Sequence, residues 1–342
     1  MKAAYLLSSQ IHVGELDDPI PGPGEVLVRT HSCGLCASDL HITQHGHALS
    51  DWSRQHNGPF KMDLSRPMVL GHEYVAEIVD FGPDTQRRLK RGTRVTSQPL
   101  AKKSQGFEII GISNNYPGGF GELMVLSEEY LRPIPDALDA DLAAMAEPIC
   151  VGISYVRQAR LAGDDVPLVV GCGAIGLSMI LALRFQGQRP IIASDFSPRR
   201  RELALAMGAD HAVDPRDISP FQAQASLGGR APNVIFECVG VPGVIDQIIR
   251  QCDYFARIIV PGWCLEPDHM LTVCAHTKAL NIQFGCGPMD VDFDQAVRAL
   301  ADGRIDPSPW LGGRIGLSEV AARLDGISNP LNPIRFVVDP RS

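Results

Sequence analysis

Pro167-Leu168-Val169-Val170-Gly171-Cys172-Gly173-Ala174-Ile175-Gly176 reads as an apolar strand that closes on a Gly-x-Gly-x-x-Gly turn and opens a helical run over 177–185. Gly171 permits the tight turn, Gly173 lets backbone approach a pyrophosphate, and Gly176 allows the helix to pack closely. The helix N-terminus at Ala174 and Ile175 faces the anion. Asp195 ends the next predicted strand, 19 residues after Gly176. A carboxylate there accepts hydrogen bonds from the adenosine ribose and repels a 2′-phosphate, which predicts NAD over NADP. Arg199 and Arg200 lie close by, and their guanidinium groups work in the opposite sense by tolerating a phosphate.

Outward from this turn, apolar runs at 167–170, 190–193, 211–213, 234–238, 257–260 and 281–284 alternate with helical segments. Six such runs predict a doubly wound parallel sheet, a Rossmann domain over 151–288. One helix start is well marked: Ser197 as cap, Pro198 at the first helical position, and Gly208 as the stop. Residues 1–150 differ, with short β runs at 25–29, 74–79 and 121–125 broken by Gly and Pro and few long helical patterns. They predict a compact β-rich domain, to which 289–342 returns with a last strand at 334–338.

Chemistry-bearing residues gather in the first part: Gly34-Leu35-Cys36-Ala37-Ser38-Asp39-Leu40-His41, then Gly71-His72-Glu73, then Glu147-Pro148. A thiolate, an imidazole and a carboxylate are the donors that hold Zn²⁺ when its fourth tetrahedral position must stay open. Asp39 is suited to accept from a ligand imidazole and fix its tautomer. Cys33 and Cys36 form a C-x-x-C pair, but the surroundings are not those of a thioredoxin-like redox motif.

With these motifs in this order, the chain resembles the zinc-dependent medium-chain dehydrogenases/reductases, the alcohol, sorbitol and threonine dehydrogenases. An opening Met1-Lys2-Ala3-Ala4, Pro23-Gly24-Glu25-Val26-Leu27-Val28 and a late Cys264-Leu265-Glu266-Pro267-Asp268 extend the likeness over nearly the whole chain. The resemblance implies an α/β protein with a GroES-like catalytic domain beside the Rossmann domain, the active site between them, and one catalytic zinc per chain. By the same resemblance the zinc ligands are Cys36, His72 and Glu147, with Glu73 as the alternative third ligand. Zinc then acts as a Lewis acid on an alcohol or carbonyl oxygen, hydride passes to or from NAD, and Ser38 with His41 relays the proton. Trp263 matches a position beside the nicotinamide. A homodimer or homotetramer is implied as well.

Two departures stand out. The structural zinc lobe of many relatives needs four close cysteines near 90–115, where this chain has none. Residues 97–116 therefore read as a metal-free loop. Cys36 and His72 are 36 positions apart, which points to an insertion within 44–66. That insertion reads as a long irregular loop, with His45, His47 and His56 in solvent. Trp52, Phe60 and Met62 in it are read either as lining an apolar substrate pocket or as loop anchors. With Trp263, these aromatics favour a hydrophobic or cyclic secondary alcohol.

Composition narrows the partners. The chain has 342 residues, a formal charge of -8 and nine cysteines scattered without a paired framework. It lacks a basic stripe for nucleic acid. It also lacks an apolar run of about 18 residues for a membrane. The expectation is a cytoplasmic enzyme acting on a small alcohol or ketone. Two other readings remain: a zinc-free, NADPH-dependent enone or quinone reductase, and a non-enzymatic nucleotide-binding structural or sensor protein.

Overall fold

The computed structural model describes residues 1–104, 106–223, 229–285, 287–327, 329, 332 and 335–342. The chain divides into two compact units. One comprises Met1–Glu147, Ala296–Gly303 and Trp310–Ser342, the other Pro148–Gln295 and Arg304–Pro309. Among the described residues no helix is long and apolar enough to cross a membrane.

In the first unit the strand Glu25–Gly34 is the axis. Its alternating Val26 and Val28 are fully buried, as a half-buried strand requires. It pairs antiparallel with Glu73–Phe81, Leu123–Ser127 and Arg335–Val338. The strands Arg94–Thr96 and Arg132–Pro133 continue the sheet on one side, and Leu311–Ile315 continues it on the other. The register sets Gly34 opposite Glu73 and also opposite Val337. Strands from three distant parts of the sequence thus converge where Glu25–Gly34 ends. The last strand is the returning segment, and position 334 of its expected span lies outside the described residues.

The second unit holds a six-stranded, wholly parallel sheet. Its spatial order is His211–Val213, Ile192–Ser194, Pro167–Val170, Val234–Glu237, Arg257–Val260 and Asn281–Phe284. This is the doubly wound order, with the first strand of the series at the reversal point and its glycine turn at the carboxyl end. Leu168, Ile192, Ile235 and Ile258 are fully buried beneath the flanking helices. Ser197 caps the helix Pro198–Ala206 by accepting from the Arg200 N–H at 3.4 Å, and Gly208 follows at φ +114.

One expectation fails: the segment after Cys36 is no irregular loop. Ala37–His56 is a helix of 20 residues, and His45, His47 and His56 on it are each exposed to solvent. Its buried residues include Asp39, Gly46, Ser50 and Ser53, so an apolar stripe does not mark it in the sequence. Serines attach the chain that returns from it: Ser50 Oγ donates to the Met62 carbonyl and the Phe60 N–H donates to Ser53 Oγ, both at 2.9 Å. Phe60 and Met62 are buried in the core cluster of the unit and are packing anchors. Trp52 is about half exposed, with its ring 5.7 Å from that of His56.

The lobe over 97–116 is built without cysteine. Its hairpin pairs Leu100–Lys102 with Phe107–Ile109. A polar chain fastens it to the axis strand: Lys103 Nζ donates to the Tyr116 hydroxyl at 2.8 Å, which donates to Glu25 Oε1 at 2.5 Å. Glu108 accepts from Ser113 and Asn115, while Asn114 Nδ2 donates to the Asp63 carbonyl at 3.0 Å. Replacing Tyr116 by Phe breaks this chain at its centre and is expected to cost about 1 kcal/mol. The measurement is the urea midpoint of unfolding, and an unchanged midpoint would mean that the bridge is dispensable.

Candidate active site

Cys36 stands where the axis strand gives way to the helix Ala37–His56, and its N–H donates to Asp39 Oδ2 at 3.0 Å. Asp39 is fully buried and lies one turn into that helix. Its other oxygen is 3.4 Å from His72 Nδ1. The opposite ring nitrogen, His72 Nε2, is 3.1 Å from Ser38 Oγ. Asp39 therefore holds one edge of the imidazole and leaves the other facing Ser38, the orientation expected of a ligand histidine with a supporting carboxylate. Burial opposes a charge on His72, but Asp39 and then Cys36 outweigh it and hold its pKa well above the ordinary imidazole value.

Gly71, at φ +96, turns the chain just before His72, and Glu73 opens the next strand. Ligand atoms of Cys36, His72 and Glu73 all lie within 4.8 Å of one another. Glu73 is fully buried, and one of its oxygens pairs with Nη1 of Arg335, which is 1% exposed. That guanidinium also donates to the Leu35 carbonyl at 3.1 Å and lies 4.8 Å over the Trp310 ring. The other Glu73 oxygen, Oε1, is buried without a hydrogen-bond partner. Such an orphaned atom is costly unless something compensates it. A soft thiolate, an imidazole and a carboxylate gathered there fit a zinc ion.

Of the two glutamates the sequence offers as third ligand, Glu73 belongs to this group, and among the described residues Glu147 is not within the same 4.8 Å. It sits in the first turn of the helix Ala146–Gln158, on another element, whereas Glu73 follows His72 directly in the chain. Glu147 still feels the site. Burial pushes its carboxyl up to about 7, with His72 pulling it down and Glu73 pushing it further up.

His41 follows Ser38 by one helical turn and is partly buried, with Nδ1 buried and unpartnered. Burial first, and His45 second, lower its pKa from the ordinary value. Cys33 is wholly buried, and burial pushes its thiol well up, as for a structural buried cysteine.

In the second unit Gly171 and Gly176 are the glycines that the backbone itself requires. Gly171 is at φ +90, nothing lies within 4 Å of a Cβ added to Gly173, and one on Gly176 would overlap the Gly171 carbonyl. Gly173 caps the helix Ala174–Phe185, so the amides of its first turn are open to an anion. Asp195 Oδ2 accepts from the Cys172 N–H and Oδ1 from the Ser197 N–H, each at 2.8 Å. These bonds hold the carboxylate against the glycine turn. Nε of Arg200 is buried and unpartnered. Trp263 is 44% exposed, and a Cβ on Gly240 would meet its backbone at 2.7 Å. Sequence reasoning missed Arg335, which lies 262 positions from Glu73 and carries no local signature.

Residues 22–136 match the family described as alcohol dehydrogenase GroES-like domain, and 174–302 match zinc-binding dehydrogenase. The chain is 33% identical over 277 residues to (R,R)-butanediol dehydrogenase of Bacillus subtilis, covering 77% of this chain and 78% of that protein. It is 29% identical over 316 residues to sorbitol dehydrogenase of Bos taurus, with 88% and 85% covered. The crystal structure of 2R,3R-butanediol dehydrogenase from Bacillus subtilis superposes with a TM-score of 0.83 at 25% identity, covering 99% of each chain. A cysteine–histidine–glutamate group in one unit, a glycine turn on a doubly wound sheet in the other, and these matches lead to one conclusion: the chain belongs to the zinc-dependent alcohol dehydrogenase family of medium-chain dehydrogenases/reductases, oxidoreductases acting on CH–OH donors.

Proposed function

We propose that the chain interconverts a secondary alcohol and its ketone with NAD(H), with zinc held by Cys36, His72 and Glu73. The observation that carries this reading is the approach of those three ligand atoms to within 4.8 Å, with a buried, unpartnered carboxylate oxygen on Glu73. Neither a zinc-free reductase nor a nucleotide sensor needs such a group. Zinc supplies Lewis acidity toward the substrate oxygen, and the nicotinamide supplies the hydride acceptor.

The chain's own residues do the rest. Asp39 keeps the His72 ring oriented, and Arg335 balances the charge of Glu73. Ser38, at 3.1 Å from His72 Nε2, stands where a substrate hydroxyl proton is handed on. His41, one turn away and held neutral near pH 7 by its lowered pKa, is the acceptor that takes the proton toward solvent. NAD is the dinucleotide because Asp195 presents its carboxylate beside the glycine turn, where a 2′-phosphate would be repelled. The substrate is a small molecule that is apolar or cyclic around its carbinol, with Trp263 limiting its shape. Met270, Leu271, Val273, Phe284, Met289 and Val291 are exposed apolar residues that support a homo-oligomer. The cytoplasm is the compartment proposed, since the enzyme uses NAD(H).

Elemental analysis tests the ligand assignment. The parent chain should carry about one zinc. Cys36→Ser and Glu73→Gln should lose most of it, and Glu147→Gln should keep it; the reverse order for the two glutamates would move the third ligand to Glu147. A panel of secondary alcohols followed by NADH absorbance tests the activity.

Removing the proton acceptor should leave zinc in place but slow the reaction. His41→Gln is expected to lower kcat at neutral pH by about 10²-fold and to erase an ionisation from the acid limb of the profile. Because burial lowers the pKa of His41, that limb should fall only as pH drops through a value below the ordinary histidine one. An unaltered rate and profile would take His41 out of the relay.

A further inference from the structure

Asp214 lies just past the strand His211–Val213 and is 9% exposed. It collects two guanidinium groups. Arg216 approaches it in a bidentate fork, Nε to Oδ1 at 2.9 Å and Nη2 to Oδ2 at 2.6 Å, and Arg201 Nη1 reaches Oδ2 at 2.9 Å. The Arg216 N–H adds a bond to Oδ1 at 3.0 Å. These arginines also grip the turn that carries Asp195. Arg201 Nη1 donates to the carbonyls of Asp195 at 2.8 Å and Phe196 at 2.9 Å, and Arg216 Nη2 donates to the Phe196 carbonyl at 3.0 Å. The Arg216 guanidinium further lies 5.5 Å over the Phe196 ring. Beyond that turn the Asp195 carboxylate accepts from Cys172 in the glycine motif.

Without a counter-charge, two guanidinium groups bonded to this turn would form an attractive site for a phosphate. Asp214 occupies both of them. It also keeps their donors directed at the turn carbonyls, which fixes the backbone from which Asp195 extends.

We propose that Asp214 is a positioning residue for cofactor choice: by engaging Arg201 and Arg216 it holds the Asp195 turn and denies those arginines to the 2′-phosphate of NADP. The proposal rests on the reading of Asp195 as the carboxylate that binds the adenosine ribose. Charge is the active property, so Asp214→Glu should behave as the parent chain does. Asp214→Asn keeps the shape, removes the counter-charge and frees one or both arginines.

The test is calorimetric titration of the zinc-loaded full chain with NAD⁺ and with NADP⁺. In Asp214→Asn the ratio of Kd for NADP⁺ to Kd for NAD⁺ should fall about tenfold. Asp214→Glu should restore the parent ratio, a rescue that lost packing alone would not predict. A ratio unchanged within about twofold in a cooperatively melting Asp214→Asn protein overturns the proposal. Should that variant fail to fold, Arg216→Gln decides: with one cation gone the ratio should rise, and an unchanged ratio overturns the proposal as well. Asp195→Asn runs alongside. If it leaves the ratio untouched, the ribose assignment fails; if it alters the ratio and the Asp214 and Arg216 variants do not, only the role of Asp214 fails.

Discussion

The buried pair of Glu73 and Arg335 is the constraint on which the metal-binding unit depends. Two charges taken out of water need each other, and removing one partner of such a pair costs about 3–5 kcal/mol. Glu73 comes from the middle of the first unit's sequence and Arg335 from its last strand, so folding has to bring the returning segment home before either charge is satisfied. The same contact sets the electrostatics of the site. A carboxylate offset by a fixed guanidinium donates to a metal while adding little net charge. Arg335 is held as well by the Trp310 ring beneath its guanidinium and by the carbonyl of Leu35, one residue before Cys36, which shares Nη1 with Glu73.

Both units build their chemistry at strand ends. In the first, Glu25–Gly34 ends two residues before Cys36, and its neighbour begins with Glu73 opposite Gly34, so the register brings the two candidate ligands into one neighbourhood. In the second, Pro167–Val170 runs into the glycine turn, and the adjacent Ile192–Ser194 runs into Asp195. Strand pairing at the reversal point of a parallel sheet brings that carboxylate to the Cys172 amide. The positions of reacting groups thus follow from hydrogen-bond ladders, the stiffest elements available.

Legibility in the sequence tracks locality. The parallel strands can be read because strands buried on both faces are continuous apolar runs, and the cap at Ser197 because capping is a short-range matter. The second strand begins two residues later than its apolar run, since Pro190 and Ile191 read as apolar but precede the ladder. The helix after Cys36 is hidden because beyond Leu40 and Ile42 its buried residues are Gly46, Ser50 and Ser53, which bury through hydrogen bonds and close approach. The third ligand stays open between two glutamates in the sequence, for no spacing rule says which of them turns toward Cys36. Arg335 and Asp214 are invisible for a related reason: a lone arginine or aspartate acquires meaning only from residues far away in the sequence.

In the lobe over 97–116 a polar tether does the fastening, and the sequence there has no cysteine. Lys103, Tyr116 and Glu25 are joined by hydrogen bonds, and none of them is a thiol open to oxidation by peroxide. The shape of this lobe is therefore uncoupled from thiol oxidation and from zinc supply. A cell short of zinc would silence the catalytic group while leaving the lobe folded, and the idle protein could recover by taking up metal without refolding.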